Sequence, residues 1–251
     1  HTRFKCDWSS DVCSSDLLGA ASPDARRYAA AFSAGYMEAF GAATACEDIA
    51  LMNRLGAARA HALHFYLSDS DAGARLHLKV FLLGRPMPLS ERVPMLEHMG
   101  FRVVSERTFD IAPAYTEARI WLHDMMIETA DGAAIDLAAR RDRLEETLMA
   151  VLLGEAESDG YNALSLANGA SWRDITLLRA LSRYLRQAGV VFNQTYMWQT
   201  LVRNADVAGK LVELFYARFD PAKTPDARAG EQADIRAAIE AMLAEIGRAH
   251  V

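Results

Sequence analysis

The chain has 251 residues, of which 51% are apolar and 24% charged, with a formal net charge of −6. This composition is globular and excludes disordered, collagenous and fibrous classes. The acidic balance gives no global support to a nucleic-acid or anionic-membrane surface. No apolar run reaches the ~18 residues of a membrane span, no signal-peptide pattern is present, and three cysteines imply no disulfide framework.

The two ends stand apart from the rest. There is no Met start. One possible coding of Asp11–Asp16, GAC GTG TGC TCT TCC GAT, reads on its complementary strand as ATC GGA AGA GCA CAC GTC. That encodes Ile246–Val251 without a miss. Residues 1–17 and 245–251 are therefore expected to be artefactual tails of shared adapter DNA, outside fold reasoning. Cys46 is then the one cysteine left between them and reads as a small buried hydrophobe.

Residues 18–60 form a helical lead-in. Tyr28, Phe32, Tyr36 and Phe40 recur every four residues, the spacing of one core-facing helix. A second helical stretch through Glu47–Met52 stops at Gly56. Residues 61–154 read differently. His61–Leu67 is a strand and Ser68–Gly73 a turn. Leu76, Leu78, Val80 and Leu82 then alternate with His77, Lys79, Phe81 and Leu83, the period of a second strand. Gly84-Arg85-Pro86-Met87-Pro88 breaks it. Ser90 is expected to cap a helix carrying Val93, Leu96 and Met99, which stops at Gly100. Strands follow over 101–109 and 120–129. Leu137, Leu144, Leu148 and Val151 mark a helix ending at Gly154. The order strand, strand, helix, strand, strand, helix predicts an α+β fold, a ferredoxin-like, ACT-like antiparallel sheet with helices.

An all-helical region follows. Residues 155–221 form a helical domain. Ser171 and Asp174 make a capping-box-like start, and Ile175, Leu178, Leu181 and Leu185 line one face. Tyr196–Val202 is a short helix, and Val207, Leu211, Leu214, Phe215 and Phe219 line the next. Residues 222–244 read as a linker and the start of a further helix, with surface-linker composition over 220–230 and Ile235, Ile239 and Met242 beginning the helix.

No dinucleotide fingerprint, P-loop, nucleophile elbow or zinc helix is present. Catalytic, cofactor-binding and metal residues are expected to be none. His61 and His64 lie on opposite faces of their strand by alternation, which argues against a joint metal site. They, His77 and His123 read as ordinary strand histidines. The densest polar cluster holds Glu155, Glu157, Asp159 and Asn162. It suits acid/base or cation chemistry, or a solvated loop whose side chains cap the flanking helices. Trp172 and Arg173 suggest a structural corner, with the indole buried and Arg173 paired to a carboxylate. Arg179, Arg183 and Arg186 lie on one flank with Tyr184, read as a solvated face or subunit contact rather than a nucleic-acid surface.

The combination of blocks resembles the large bacterial NAD-specific glutamate dehydrogenases. The blocks are Pro88-Leu89-Ser90, Val93–Val103, Gly154–Asn162 with Leu164, Ser171-Trp172-Arg173-Asp174, Leu178–Ala180, Tyr184–Gln187, Leu211–Phe215 and Arg218–Pro221. They keep the family's order and approximate spacing. Asn168-Gly169-Ala170, Asp174 and Ser158 depart mildly from the family's usual residues. The resemblance implies that 61–154 is the last ACT-like module and 155–244 the helical segment before a catalytic domain. The parent reaction would be NAD-dependent oxidative deamination of L-glutamate, with the catalytic and NAD-binding residues downstream of residue 244. This stretch alone would be inactive and bind no cofactor. Its partners would be its own catalytic domain, sister subunits of a homo-oligomer and an amino-acid effector, with no nucleic acid and no membrane, in the cytoplasm. Gly84, Arg85 and Ser90, at a helix N-terminus, form the expected effector turn. The alternative is a stand-alone amino-acid-sensing or oligomerisation scaffold without catalysis.

Overall fold

A computed structural model describes residues 23–28, 30–68 and 75–249. The tail 1–17 and most of the turn Ser68–Gly73 lie outside the described residues. The described residues fall into two compact units. One comprises residues up to Val93 with Arg102–Leu137, the other Pro94–Phe101 with residues from Ala138 onward.

Among the described residues the first elements are three short helices, α1 (Pro23–Tyr28), α2 (Ala34–Ala39) and α3 (Ala42–Met52). The single aromatic-striped helix is thus corrected. Phe32 leaves the helical path to bridge Ile111 in an isolated strand-like pair. Ser33, extended at φ −69° and ψ 158°, caps α2 by accepting from the Tyr36 N–H. Extended Gly41 opens α3. The four aromatics nevertheless meet. Ring centroids are 6.3 Å apart for Tyr28–Phe32, 4.5 Å for Phe32–Tyr36 and 4.9 Å for Tyr36–Phe40. Tyr36 and Phe40 also meet Phe109 edge-on, and such pairs add about 0.5–1.5 kcal/mol beyond area burial.

The sheet holds β1 (His61–Tyr66), β2 (Arg75–Leu83), β3 (Phe101–Ile111) and β4 (Ile120–Thr129) in the order β1-β2-β4-β3. β1 pairs antiparallel with β2 and β2 antiparallel with β4, with Lys79 opposite both His64 and Asp124. Helix α4 (Leu89–His98) joins β2 to β3 across the intervening β4, a split β-α-β unit. Helix α5 (Leu137–Leu152) follows β4. Read from β2, the chain runs β-α-β-β-α. β1 supplies the edge strand beside β2 that would otherwise come last, so the ferredoxin-like order is kept in permuted form. Central strand β2 is buried on both faces from Leu76 to Leu82, including His77 and Lys79, because neighbours cover each side. Helix α4 begins at Leu89, so Ser90 lies inside its first turn rather than at its cap.

In the second unit, α5 is closed off just beyond Leu152 by Gly154, whose φ of +72° lets the Glu155 N–H reach back to the Ala150 carbonyl (2.8 Å). A 3-10 turn (Gly160–Ala163) leads to α6 (Leu164–Ala167), α7 (Trp172–Gln187), α8 (Gln194–Arg203) and α9 (Ala205–Phe219). Ser171 and Asp174 form a complete capping box at α7. Ile175 and Leu178 are buried in a core with Tyr161, Leu164, Ala208 and Val212, whereas Leu181 and Leu185 remain exposed. Helix α10 runs from Pro225 to Ala249. The expected linker therefore ends early: Pro225 suits a helix start, where its missing N–H costs nothing, and residues 226–230 are already helical.

Candidate functional site

The first unit carries two buried polar networks, one on each face of its sheet. On the face covered by α2 and α3, Lys79 and Asp48 are each 2% exposed and pair at 2.7 and 2.8 Å. The Tyr36 hydroxyl donates to the same carboxylate at 2.6 Å. Lys79 also lies 4.1 Å from the Phe40 ring centroid and 5.4 Å from that of Tyr66. Beside it, the buried Asp124 carboxylate accepts from the Tyr66 hydroxyl at 2.8 Å and from Arg107 at 2.7 Å. Burial pushes the Asp48 carboxyl up, opposed by Lys79, and burial with Asp124 pushes the Tyr66 phenol up. The buried carboxylates of Asp48 and Asp124 and the Lys79 ammonium each have specific partners, as charges removed from water require.

On the opposite face, His123 sits at the centre. Its Nε2 accepts from the Met87 N–H at 3.3 Å and lies 3.4 Å from an Arg92 nitrogen. Its Nδ1 lies 3.1 Å from Glu106 and 3.0 Å from the Thr108 hydroxyl. Arg92 pairs with Glu106. Burial, then the neighbouring Arg92 charge, lowers the His123 pKa. A neutral ring fits this geometry: Nε2 accepts, and Nδ1 carries the proton toward Glu106 or Thr108.

Of the expected effector turn, Gly84 donates its N–H to the Arg119 carbonyl at 2.8 Å, and its own carbonyl accepts from the Trp121 indole at 3.3 Å. Arg85 and Ser90 are exposed. The turn is thus anchored beneath through Met87 and His123, while its arginine faces solvent.

In the second unit, the acidic segment and the arginine flank prove to be halves of one structure. Arg179 is 2% exposed. Its Nε and Nη2 take both Asp159 oxygens at 2.7 and 2.8 Å, and Nη2 also donates to Asn162 Oδ1 at 2.8 Å. Asn162 Nδ2 in turn donates to the Glu157 carbonyl at 2.9 Å. Arg183 forms a fork with the Glu157 carboxylate, which holds that carboxyl below its usual range. Asp159 additionally caps the 3-10 turn by accepting from the Tyr161 N–H. The reading of Arg179 as solvated is thereby corrected. It lies one turn from buried Ile175 on the core side of α7, where a guanidinium requires a carboxylate.

Glu157, Asp159 and Asn162 come together. Glu155 is exposed and stands outside the cluster. Trp172 and Arg173 also stand apart. The indole is half-buried with the Arg173 guanidinium 4.2 Å over its ring, and Arg173, 68% exposed, lies 3.8 Å from Glu146. Cys46 is half-buried, and burial pushes its thiol up. Among the described residues, no group of three or more His, Cys, Asp or Glu side chains is arranged to hold a metal ion, and no helix is long and apolar enough to cross a membrane.

The sequence reading missed the pairing of Lys79 with Asp48 and of His123 with Arg92 and Glu106. One signal was available: a lysine and two histidines inside an otherwise apolar sheet require buried partners.

Comparison with known proteins places these modules. Residues 20–55 match helical motif 2 of glutamate dehydrogenase, residues 60–140 its ACT3 domain and residues 156–221 its helical motif 3. Proteins named NAD-specific glutamate dehydrogenase from Halomonas elongata, Pseudomonas aeruginosa and Mycobacterium tuberculosis are each 33% identical, over 87%, 75% and 92% of this chain. The chain spans 12–14% of the length of these relatives. With relatives 33% identical over most of its length and three modules of one family matched along it, the chain belongs to the large NAD-specific glutamate dehydrogenase family.

Proposed function

We propose that this chain is the regulatory and assembly stretch preceding the catalytic domain of an NAD-dependent glutamate dehydrogenase. The parent would oxidise L-glutamate with water to 2-oxoglutarate and ammonium, passing hydride to NAD. The ordered match to helical motif 2, ACT3 and helical motif 3 carries this reading. The buried networks suit the role. They hold the sheet and the α7 loop rigid, so a ligand or neighbouring domain would meet a preorganised surface. Following NADH formation from L-glutamate, with the 251-residue chain and with the longer protein, tests the proposal. Turnover by the longer protein alone is expected. Turnover by the chain itself would overturn it.

An amino-acid effector at the Gly84–Pro88 turn belongs to the same reading. Its carboxylate would meet Arg85 and the first turn of α4. Calorimetric titration with glutamate and aspartate tests this. Saturable heat lost in Arg85→Gln is expected, and absence of heat with either contradicts it.

A second reading, a scaffold that associates with copies of itself, is favoured by one observation. Tyr184, Leu185, Val191, Phe192 and Tyr196 are all exposed, with Val191 at 91% and the Phe192 and Tyr196 rings stacked at 4.7 Å. Patches of large exposed apolar side chains mark contact surfaces. Light scattering during size exclusion discriminates: a defined oligomer supports it, a monomer at all concentrations does not.

A further inference from the structure

The second unit holds an arginine cluster that nothing above uses. Arg218, in the last turn of α9, faces Arg228, Gln232 and Arg236, which are spaced by four along one side of α10. With Pro225 they line a depression of about 360 Å³. Neighbouring Lys223 is satisfied by Asp220 and Glu231. The three guanidinium groups differ. Among the described residues none has a carboxylate within ion-pair distance, although the chain as a whole is acidic. Like charges drawn to one depression repel, and an anion between them removes that repulsion while taking their forked N–H donors.

We infer that this depression is a binding site for a small polyanion carrying two or more oxyanion groups. The spacing argues for more than one group. Arg228 and Arg236 are two turns apart, about 12 Å along the helix axis, so their side chains converge on a ligand from both ends while Arg218 approaches from α9. The volume fits a compact metabolite rather than a polymer. No aromatic side chain lines the depression itself, and the Phe219 ring lies 5.5 Å from the Arg218 guanidinium beside it. The shared chemistry is forked anionic oxygen, supplied by a polyphosphate or by a polycarboxylate. The site belongs to a different unit from the Gly84–Pro88 turn and does not depend on the dehydrogenase reading.

The test is isothermal titration of the full chain with inorganic pyrophosphate and, separately, with citrate, at fixed ionic strength in a buffer free of both. Saturable binding of at least one, with a Kd below about 1 mM, is expected, and the arm that binds names the oxyanion. Arg228→Gln and Arg236→Gln should each weaken it about tenfold or more, while Arg186→Gln, a solvent-facing charge on α7, leaves it unchanged. Circular dichroism of each variant confirms that the helices persist. No saturable heat in either arm overturns the inference. So does an equal loss in Arg186→Gln, which would mean nonspecific attraction.

Discussion

The two units place charge inside the molecule in opposite ways. In the first, Lys79 and Asp48 lie on a central strand and a covering helix, both almost wholly removed from water. In the second, Arg179 is equally buried, but its partner Asp159 is 29% exposed and sits on a loop. The first arrangement welds two layers of a sheet unit. The second stitches an irregular segment onto a helix, because the Arg179 guanidinium donates to the Glu157 backbone carbonyl and to the Asp159 and Asn162 side chains. A buried ion pair therefore marks packing in one unit and loop order in the other.

The sharpest way to break this comparison is to strand a charge. Asp48→Ala leaves the Lys79 ammonium buried without its partner and should cost about 3–5 kcal/mol in a urea melt. The double variant Asp48→Leu with Lys79→Met should recover most of that loss, since well-packed apolar pairs often replace buried ions at little cost. No recovery would mean that Tyr36, rather than the pair, is the anchor. Arg179→Ala should cost less, about 2–4 kcal/mol, because Asp159 can turn to water while Asn162 cannot. Protease sensitivity confined to the Glu155–Tyr161 loop would confirm the stitching role.

Gly160→Ala comes next, at about 1–3 kcal/mol. A Cβ there would lie 2.4 Å from the Trp198 ring, so α8 must shift. Trp198→Leu in the same background should return part of the loss.

The smallest effect is on pH dependence. The His123 pKa is lowered in the fold, so below the unfolded value of about 6.5 the unfolded chain binds more protons than the folded one. Stability should therefore fall as pH drops through that value. His61, lowered by burial alone, adds the same sign. His123→Gln should flatten the slope of melting temperature between pH 7 and pH 5, and an unchanged slope would remove His123 as a contributor.

Much of this architecture was legible. Strand and helix periods gave β2, β3, β4, α5 and α7 to within a few residues, because one clear apolar pattern dominates each. The capping box at Ser171 and Asp174 was readable for the same local reason. The opening helices were not. Tyr28, Phe32, Tyr36 and Phe40 have helical spacing, yet Phe32's bridge to Ile111 is a long-range contact that no local pattern contains. The linker before α10 misled because Pro, Ala and Gly suit both a loop and a helix start. At the candidate sites the residue types of Glu157, Asp159 and Asn162 were evident, but their partner Arg179 was hidden. A four-residue step from buried Ile175 points inward only once a core exists. Lys79 and His123 were visible as residues and invisible as partners, since Asp48, Arg92 and Glu106 lie on other elements and are brought together by long-range packing.

The central claim is that this stretch is followed by a catalytic domain. Sequencing the genomic DNA on both sides of the segment tests it most directly. A reading frame that continues past Ala244 into a nucleotide-binding fold with a Gly- and Lys-rich substrate motif is expected. A stop codon directly after Ala244 in the genome would contradict it and leave a free-standing regulatory or scaffold protein.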